Sequence, residues 1–278
     1  MHSFLKISAI AVLTHMLIPF GNCASIETPA TNPKEIRIVT VDPTPEPNET
    51  ATKILFPRDG EMKDSTPIKG QIQLEGFPLG VDSEFERKKE IFNSPEGQSL
   101  HIFIDNQPYF AVDEALINAL DDTQEFFDQT ADFEIPFKLQ PGMHVIRTFP
   151  VRSFNESLKG DGCFASRIFY YKEKISNPQI DLTAPYLTYN EPQGEYTYRK
   201  SQPILLDFYL TNCQLSKDGF KVRITIDNTV TRILTSWQPY YIYGLNKGLH
   251  RIHLELLDQQ NTLIPGLFND VERTIVIK

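Results

Sequence analysis

Cysteine is scarce, at three in 278 residues, which excludes a disulfide-stapled scaffold and a Cys-rich metal site. Basic charge is also short. Lys and Arg number 27 against 36 Asp and Glu, a net charge of −9. A nucleic-acid binder needs a basic face to replace phosphate counterions, so nucleic acid is excluded as a partner. Beyond the N-terminus no apolar run approaches the roughly 20 residues that a membrane-spanning helix needs. There is no Gly-x-Ser-x-Gly elbow, no glycine-rich phosphate loop and no dinucleotide fingerprint. No His-x-x-x-His pair offers a zinc site. What is present is ordinary globular material: 40% hydrophobic residues support a packed core and rule out wholesale disorder.

Residues 1–24 have the pattern of an export signal. Lys6 precedes the apolar run from Ile7 to Phe20, which is too short to span a bilayer and is broken by Pro19 and Gly21. The run Phe20-Gly21-Asn22-Cys23 resembles a bacterial lipoprotein box, with Phe20 and Asn22 departing from the favoured residues. The resemblance implies lipidation of Cys23, and with it an envelope protein held at the membrane only by that anchor. The other reading is simple secretion into the periplasm or to the cell surface. Residues 25–53, with Pro29, Pro33, Pro43, Pro45 and Pro47, are expected to form an extended tether. Within it, Ile36 to Val41 alternates like a strand, expected either to dock on the first domain or to stay free.

An internal repeat organises the remainder. Ser65-x-Pro67-Ile68 matches Ser201-x-Pro203-Ile204, and Ile102 to Asn106 matches Ile224 to Asn228. Leu139-x-x-Gly142-x-His144-x-Ile146 matches Leu245-x-x-Gly248-x-His250-x-Ile252 position for position. Arg167 and Arg273 each fall 25 residues after the matched glycine. Order and offset together identify two copies of one domain, at residues 54–175 and 186–278, joined by a linker at 176–185. The matched segments alternate with period two and end in Asp-Asn turn chemistry, which predicts half-buried strands.

The Gly-x-His-x-Ile motif resembles the corner before the sixth strand of immunoglobulin-like and fibronectin-III-like domains, including those of bacterial envelope proteins. That resemblance implies an all-β chain of two Ig-like β-sandwiches in tandem, with His144 and His250 as structural corner residues. The first copy carries two insertions, near 76–96 and 111–130, both expected to bear short helices. Enlarged loops on one copy are where recognition usually sits.

Four groups of residues are candidates for function. Arg152, Phe154, Glu156 and Lys159 lie in the loop expected to join the last two strands of the first domain, where they would bind a ligand; the plainer alternative is a hairpin that satisfies itself. Asp121, Asp122, Glu125 and Asp128 belong to an acidic run that could hold Ca2+, although a solvated acidic face is the commoner outcome and no cofactor is otherwise expected. Tyr240, Tyr241, Tyr243 and Trp237 would offer a stacking face in a carbohydrate-binding module. Cys163 and Cys213 either bridge the domains or remain buried thiols, and unmatched repeat positions favour thiols. The composite expectation is a non-catalytic envelope protein that binds a protein or glycan through the first domain. A carbohydrate module is second, and a hydrolase with an unrecognised site third.

Overall fold

The computed structural model describes residues 36–120 and 127–278. Strand β1 (Arg37–Thr40) is followed by the first sandwich. This contains β2 (Ala51–Phe56), β3 (Glu61–Lys63), β4 (Lys69–Glu75), the helical turn α1 (Arg87–Glu90), β5 (Ser99–Ile104), β6 (Phe110–Val112), β7 (Leu116–Leu120), β8 (Phe127–Glu134), β9 (Gly142–Val151) and β10 (Ala165–Tyr171). The second sandwich contains β11 (Tyr186–Glu191), β12 (Gly194–Tyr196), β13 (Ile204–Thr211), β14 (Lys221–Ile226), β15 (Val230–Leu234), β16 (Tyr240–Tyr243), β17 (Gly248–Leu257) and β18 (Asp270–Ile277). The all-β class and the paired sandwiches are as expected. Among the described residues no helix is long and apolar enough to cross a membrane.

The sheets repeat strand for strand. The first sandwich pairs β2-β4-β8-β7 with β3-β10-β9-β5-β6, and the second pairs β11-β13-β16-β1 with β12-β18-β17-β14-β15. Arg167 lies opposite Ile146, and Arg273 lies opposite Ile252, so the 25-residue offset in the sequence is a hairpin register. In each copy a short strand after a proline crosses to the other sheet and pairs parallel with the last strand.

The position filled by β7 in the first sandwich is filled in the second by β1, from ahead of the first. Arg37, Ile38, Val39 and Thr40 pair with Tyr243, Ile242, Tyr241 and Tyr240. Ile36 and Ile38 join the core of the second sandwich. The expected tether is thus a sheet strand and an ordered connector from residue 36 onward, on the second domain and not the first. The reason lies in the lengths. Between β15 and β16 only residues 235–239 remain, too few for a strand of their own, while the first copy fits β7 between β6 and β8.

Two further expectations change. The second insertion folds as β7 paired with β8, not as a helix, because ladder hydrogen bonds override a weak local helix preference. The first insertion does carry the single helical turn α1. Second, β5 is buried along its whole length, whereas its counterpart β14 keeps partly exposed positions at Arg223 and Thr225. The outer face of β5 is covered by the second sandwich.

Candidate functional site at the junction of the two sandwiches

The two sandwiches meet side by side. The outer face of β5 and β9 packs on the outer face of β11 and β13. Phe103, Phe149 and Val151 cluster with Tyr209, whose ring lies 5.0 Å from Phe149, 4.9 Å from Phe164 and 5.0 Å from Trp237. Polar groups thread this apolar contact. Asn190 accepts from His101 Nδ1 at 2.7 Å and donates from Nδ2 to Asp207 at 2.8 Å and to the Asn155 carbonyl at 2.8 Å. Burial drives the His101 pKa down to about 3 despite that hydrogen bond, so the ring is neutral. Lys159 Nζ reaches the fully buried Asp207 at 2.6 Å. Arg147, also buried, donates to Thr188 Oγ1 at 2.7 Å and lies 3.7 Å from the centre of the Phe268 ring. Buried polar groups without partners cost stability, and His101, Asn190, Lys159, Asp207 and Arg147 Nη1 all find one across the junction, while Arg147 Nε and the Tyr189 hydroxyl have none among the described residues.

Glu191 is the centre of the densest cluster. It ends β11 and accepts from the hydroxyls of Tyr109 and Tyr196, from Asn155 Nδ2 at 3.0 Å and from Gln193 N at 3.1 Å. Tyr109 and Asn155 belong to the first sandwich, Tyr196 and Gln193 to the second. Burial raises the Glu191 pKa to about 7, against the downward pull of those donors. The Gln193 side chain also brackets the backbone of Tyr109, accepting from its N–H and donating to its carbonyl, both at 3.0 Å. Sequence reasoning missed this cluster. One signal was available: Pro57-x-x-Gly60-Glu61 corresponds to Pro192-x-Gly194-Glu195 in the repeat, which sets Glu191 against Phe56, an acid where the first copy has an apolar residue.

The four candidate ligand residues do come together, but they face inward. Arg152 donates to the carbonyl of Pro45 and lies 4.4 Å from the Phe85 ring. Glu156 accepts from Thr44 N at 2.8 Å and Thr44 Oγ1 at 2.7 Å, and pairs with Arg87. Phe154 is buried with Ile91, Leu205 and Tyr241. Lys159 is held by Asp207, and its N–H donates to Glu46 Oε1 at 2.9 Å. The loop thus grips the connector between β1 and β2, and the second sandwich covers what remains. A free ligand surface at these residues is corrected to an internal one.

His144 and His250 occupy matched corners. His144 Nδ1 lies 2.7 Å from Asp105 Oδ2 and its Nε2 lies 2.7 Å from the Gln140 carbonyl; His250 repeats this with Asp227 at 2.7 Å and Asn246 at 2.8 Å. Gly142 and Gly248, at φ +130° and +135°, start the strands in a conformation that side chains disfavour. Asp105 and Asp227 take left-handed φ values of 51° and 52°, as the turn chemistry predicted.

Of the acidic run, Asp121, Asp122 and Glu125 lie outside the described residues, as does Cys23. Asp128 sits on β8 and accepts from Gln73 at 3.1 Å and Asn118 at 3.3 Å. Among the described residues no group of three or more His, Cys, Asp or Glu is placed to hold a metal. Cys163 packs in the first core and Cys213 against the second; both are free thiols, raised to about 12 and about 11 by burial. The tyrosine face is also internal. Tyr240 and Tyr241 are buried, Tyr241 donates to Glu90 at 2.7 Å, and Trp237 Nε1 donates to the Phe208 carbonyl at 2.9 Å.

Two exposed aromatic residues, Phe92 and Tyr198, lie elsewhere at the same junction. A cleft of about 320 Å3 opens between the first insertion and the start of the second sandwich. Phe92 stands on one wall and Tyr196, Tyr198, Arg199 and Gln202 on the other. Phe92 is 50% exposed and Tyr198 38%, although both are large apolar groups. Phe92 also borders a small recess that reaches Asn155 and Glu191, so the cleft floor lies next to the buried carboxylate.

No family model matches the chain, and no curated protein matches it in sequence. Three similar solved structures are each remote. Fibronectin(III)-like modules of Clostridium thermocellum CbhA are 13% identical, with 82% of this chain and 94% of that one covered at a TM-score of 0.27. Domains 3 and 4 of rat CD4 are 9% identical, covering 78% and 98% at 0.20. SGBP-B of the Bacteroides ovatus mixed-linkage glucan utilization locus, solved with a mixed-linkage heptasaccharide, is 12% identical, covering 88% and 47% at 0.17. At such scores the superpositions carry no functional weight. The strand order and the repeated corner are what make this an all-β immunoglobulin/fibronectin-III-like fold.

Proposed function

We propose that this chain is a non-catalytic binding protein of the cell envelope, in which two Ig-like sandwiches act as one body and present the junction cleft to a partner. The observation that carries this reading is the cleft itself. Two exposed aromatic rings and the exposed Arg199 gather there, while His101, Asn190, Lys159 and Asp207 deeper in the junction are engaged with neighbouring protein groups. Solvent-facing aromatics beside hydrogen-bonding groups suit a partner with apolar faces and polar edges. The export pattern of residues 1–24 and the lipobox-like Cys23 support the envelope part of this reading, with the chain tethered or secreted. Intact-mass measurement of protein from membrane and soluble fractions distinguishes an acylated chain beginning at Cys23 from an unmodified one.

Exposed rings flanked by Arg199 and Gln202 also favour a glycan as the partner, a reading that moves the stacking face from Tyr240–Tyr243 to Phe92 and Tyr198. Binding of the whole chain to an envelope-protein panel and a glycan array is the test, with the F92A/Y198A/R199A variant alongside. The placement holds if binding to one panel is lost in the variant. It fails if binding is unchanged.

A further inference from the structure

We propose that the β16 edge of the second sandwich is an exchangeable strand-binding site, and that β1 of a second copy of this chain can occupy it, joining two copies by exchange of residues 36–50. The second copy of the repeat lacks the strand that its sheet requires, since residues 235–239 are all that separate β15 from β16. An unfilled edge there would leave backbone groups of Tyr240–Tyr243 unpaired and the apolar core open. What fills it is an extended segment with two apolar anchors, Ile36 and Ile38, both in the core. Val41 N donates to the Pro239 carbonyl at 3.1 Å, and Arg232 donates to the Ile38 carbonyl. This is strand addition at a sheet edge, with the ladder giving affinity and the anchors giving register.

The donor is covalently remote from its acceptor. Between β1 and β2 runs a connector with Pro43, Pro45 and Pro47, which lack the N–H needed to zip into either sheet. Its own contacts, Asp42 with Arg87, Thr44 with Glu156, Pro45 with Arg152 and Glu46 with Lys159, all run to the body of the protein. The same contacts can therefore form with the connector of another copy, and only chain connectivity distinguishes the two arrangements. The chain turns back into β2 at Glu49, a non-glycine residue with φ of 59°. That turn is packed so closely on Gly76 that a Cβ there would lie 2.6 Å from the Glu49 carbonyl oxygen. Straightening this hinge releases an unfavourable backbone conformation, which opposes the advantage of the tethered strand.

The test uses two whole-chain variants, R37C and Y243C, whose positions are direct partners across the ladder. They are mixed at high concentration, warmed below the unfolding transition and oxidised, and the disulfide-linked 37–243 peptide is sought by mass spectrometry. Exchange predicts a covalent dimer with that linkage, reduced at least about tenfold when the R37C chain also carries I38D. The R37C/Y243C double variant reports on the strand within one chain. If it links internally while the mixture yields no 37–243 peptide between copies, exchange is overturned. If it fails to link at all, β1 does not occupy this edge and the proposal falls with it.

Discussion

His144 Nδ1 faces the Asp105 carboxylate and its Nε2 faces the Gln140 carbonyl, both at 2.7 Å, so two acceptors favour the doubly protonated ring. Burial alone would push its pKa down, but the Asp105 carboxylate and the Gln140 carbonyl outweigh it and the net shift is upward. A raised folded-state pKa adds stability that is complete below the unfolded value of about 6.5 and is lost as pH rises through the folded value. H144Q keeps a donor but cannot be charged. It is expected to cost about 2 kcal/mol at pH 6, with the difference from the parent shrinking toward pH 9. Denaturant unfolding of both proteins across that range measures it. A difference that stays constant would mean a neutral ring.

Glu191 titrates in the same direction over a lower window. Its folded pKa of about 7 lies above the ordinary carboxylate value, so between roughly 4.5 and 7 the folded protein holds a proton that the unfolded chain releases. Stability should therefore fall as pH rises through that window, by roughly 3 kcal/mol in total. E191Q, neutral at every pH, should remove this slope, while its amide nitrogen, set against groups that donate to both carboxylate oxygens, lowers stability by a roughly pH-independent amount. Parallel unfolding curves with an unchanged slope would remove Glu191 from the account.

Lys159 and Asp207 form the ion pair most deeply placed at the junction, at 2.6 Å with the Asp207 side chain wholly buried. K159M preserves the packing of the stem beside Trp237 while leaving the carboxylate without its cation, and should destabilise by about 3–5 kcal/mol. D207N in the same chain should restore part of that loss, because the uncompensated charge goes. A double-mutant cycle gives the coupling directly. Independent, additive effects would show that the two groups do not pair.

Much of this architecture is legible from residue order. Leu139 to Ile146 and Leu245 to Ile252 announce the repeated corner, and Asp105 and Asp227 sit at the turns their chemistry demands. What sequence conceals is which face meets which. His101 and Phe103 lie where an exposed face is expected, and only the packing of the second sandwich buries them. Arg152 and Glu156 have the chemistry of a ligand site, and they do bind an extended segment, but it is residues 44–45 of the same chain. Contacts between separate stretches of the chain, such as Tyr109 and Asn155 with Glu191, leave no local periodicity, so neither the Glu191 cluster nor the cleft beside it has a motif. The borrowed strand was half visible: Ile36 to Val41 alternates, but nothing in that alternation names the sheet it joins.

That strand yields the sharpest mutational contrast. Ile38 is buried in the second core beside its ladder partner Ile242, while its neighbour Val39 is 39% exposed on the opposite face. Removing the Ile38 side chain beyond Cβ leaves a cavity in a core whose other members lie between residues 187 and 277 apart from Ile36. I38A should cost about 2–4 kcal/mol, and V39A no more than about 0.5 kcal/mol. The damage should fall first on the second sandwich, although residue 38 precedes the first. Amide exchange should accelerate along β13 and β16 in I38A, with β4 and β8 affected less. Equal acceleration in both sandwiches would mean that they open as a single cooperative unit. Unchanged exchange at Tyr240–Tyr243 would show that β1 does not protect that edge.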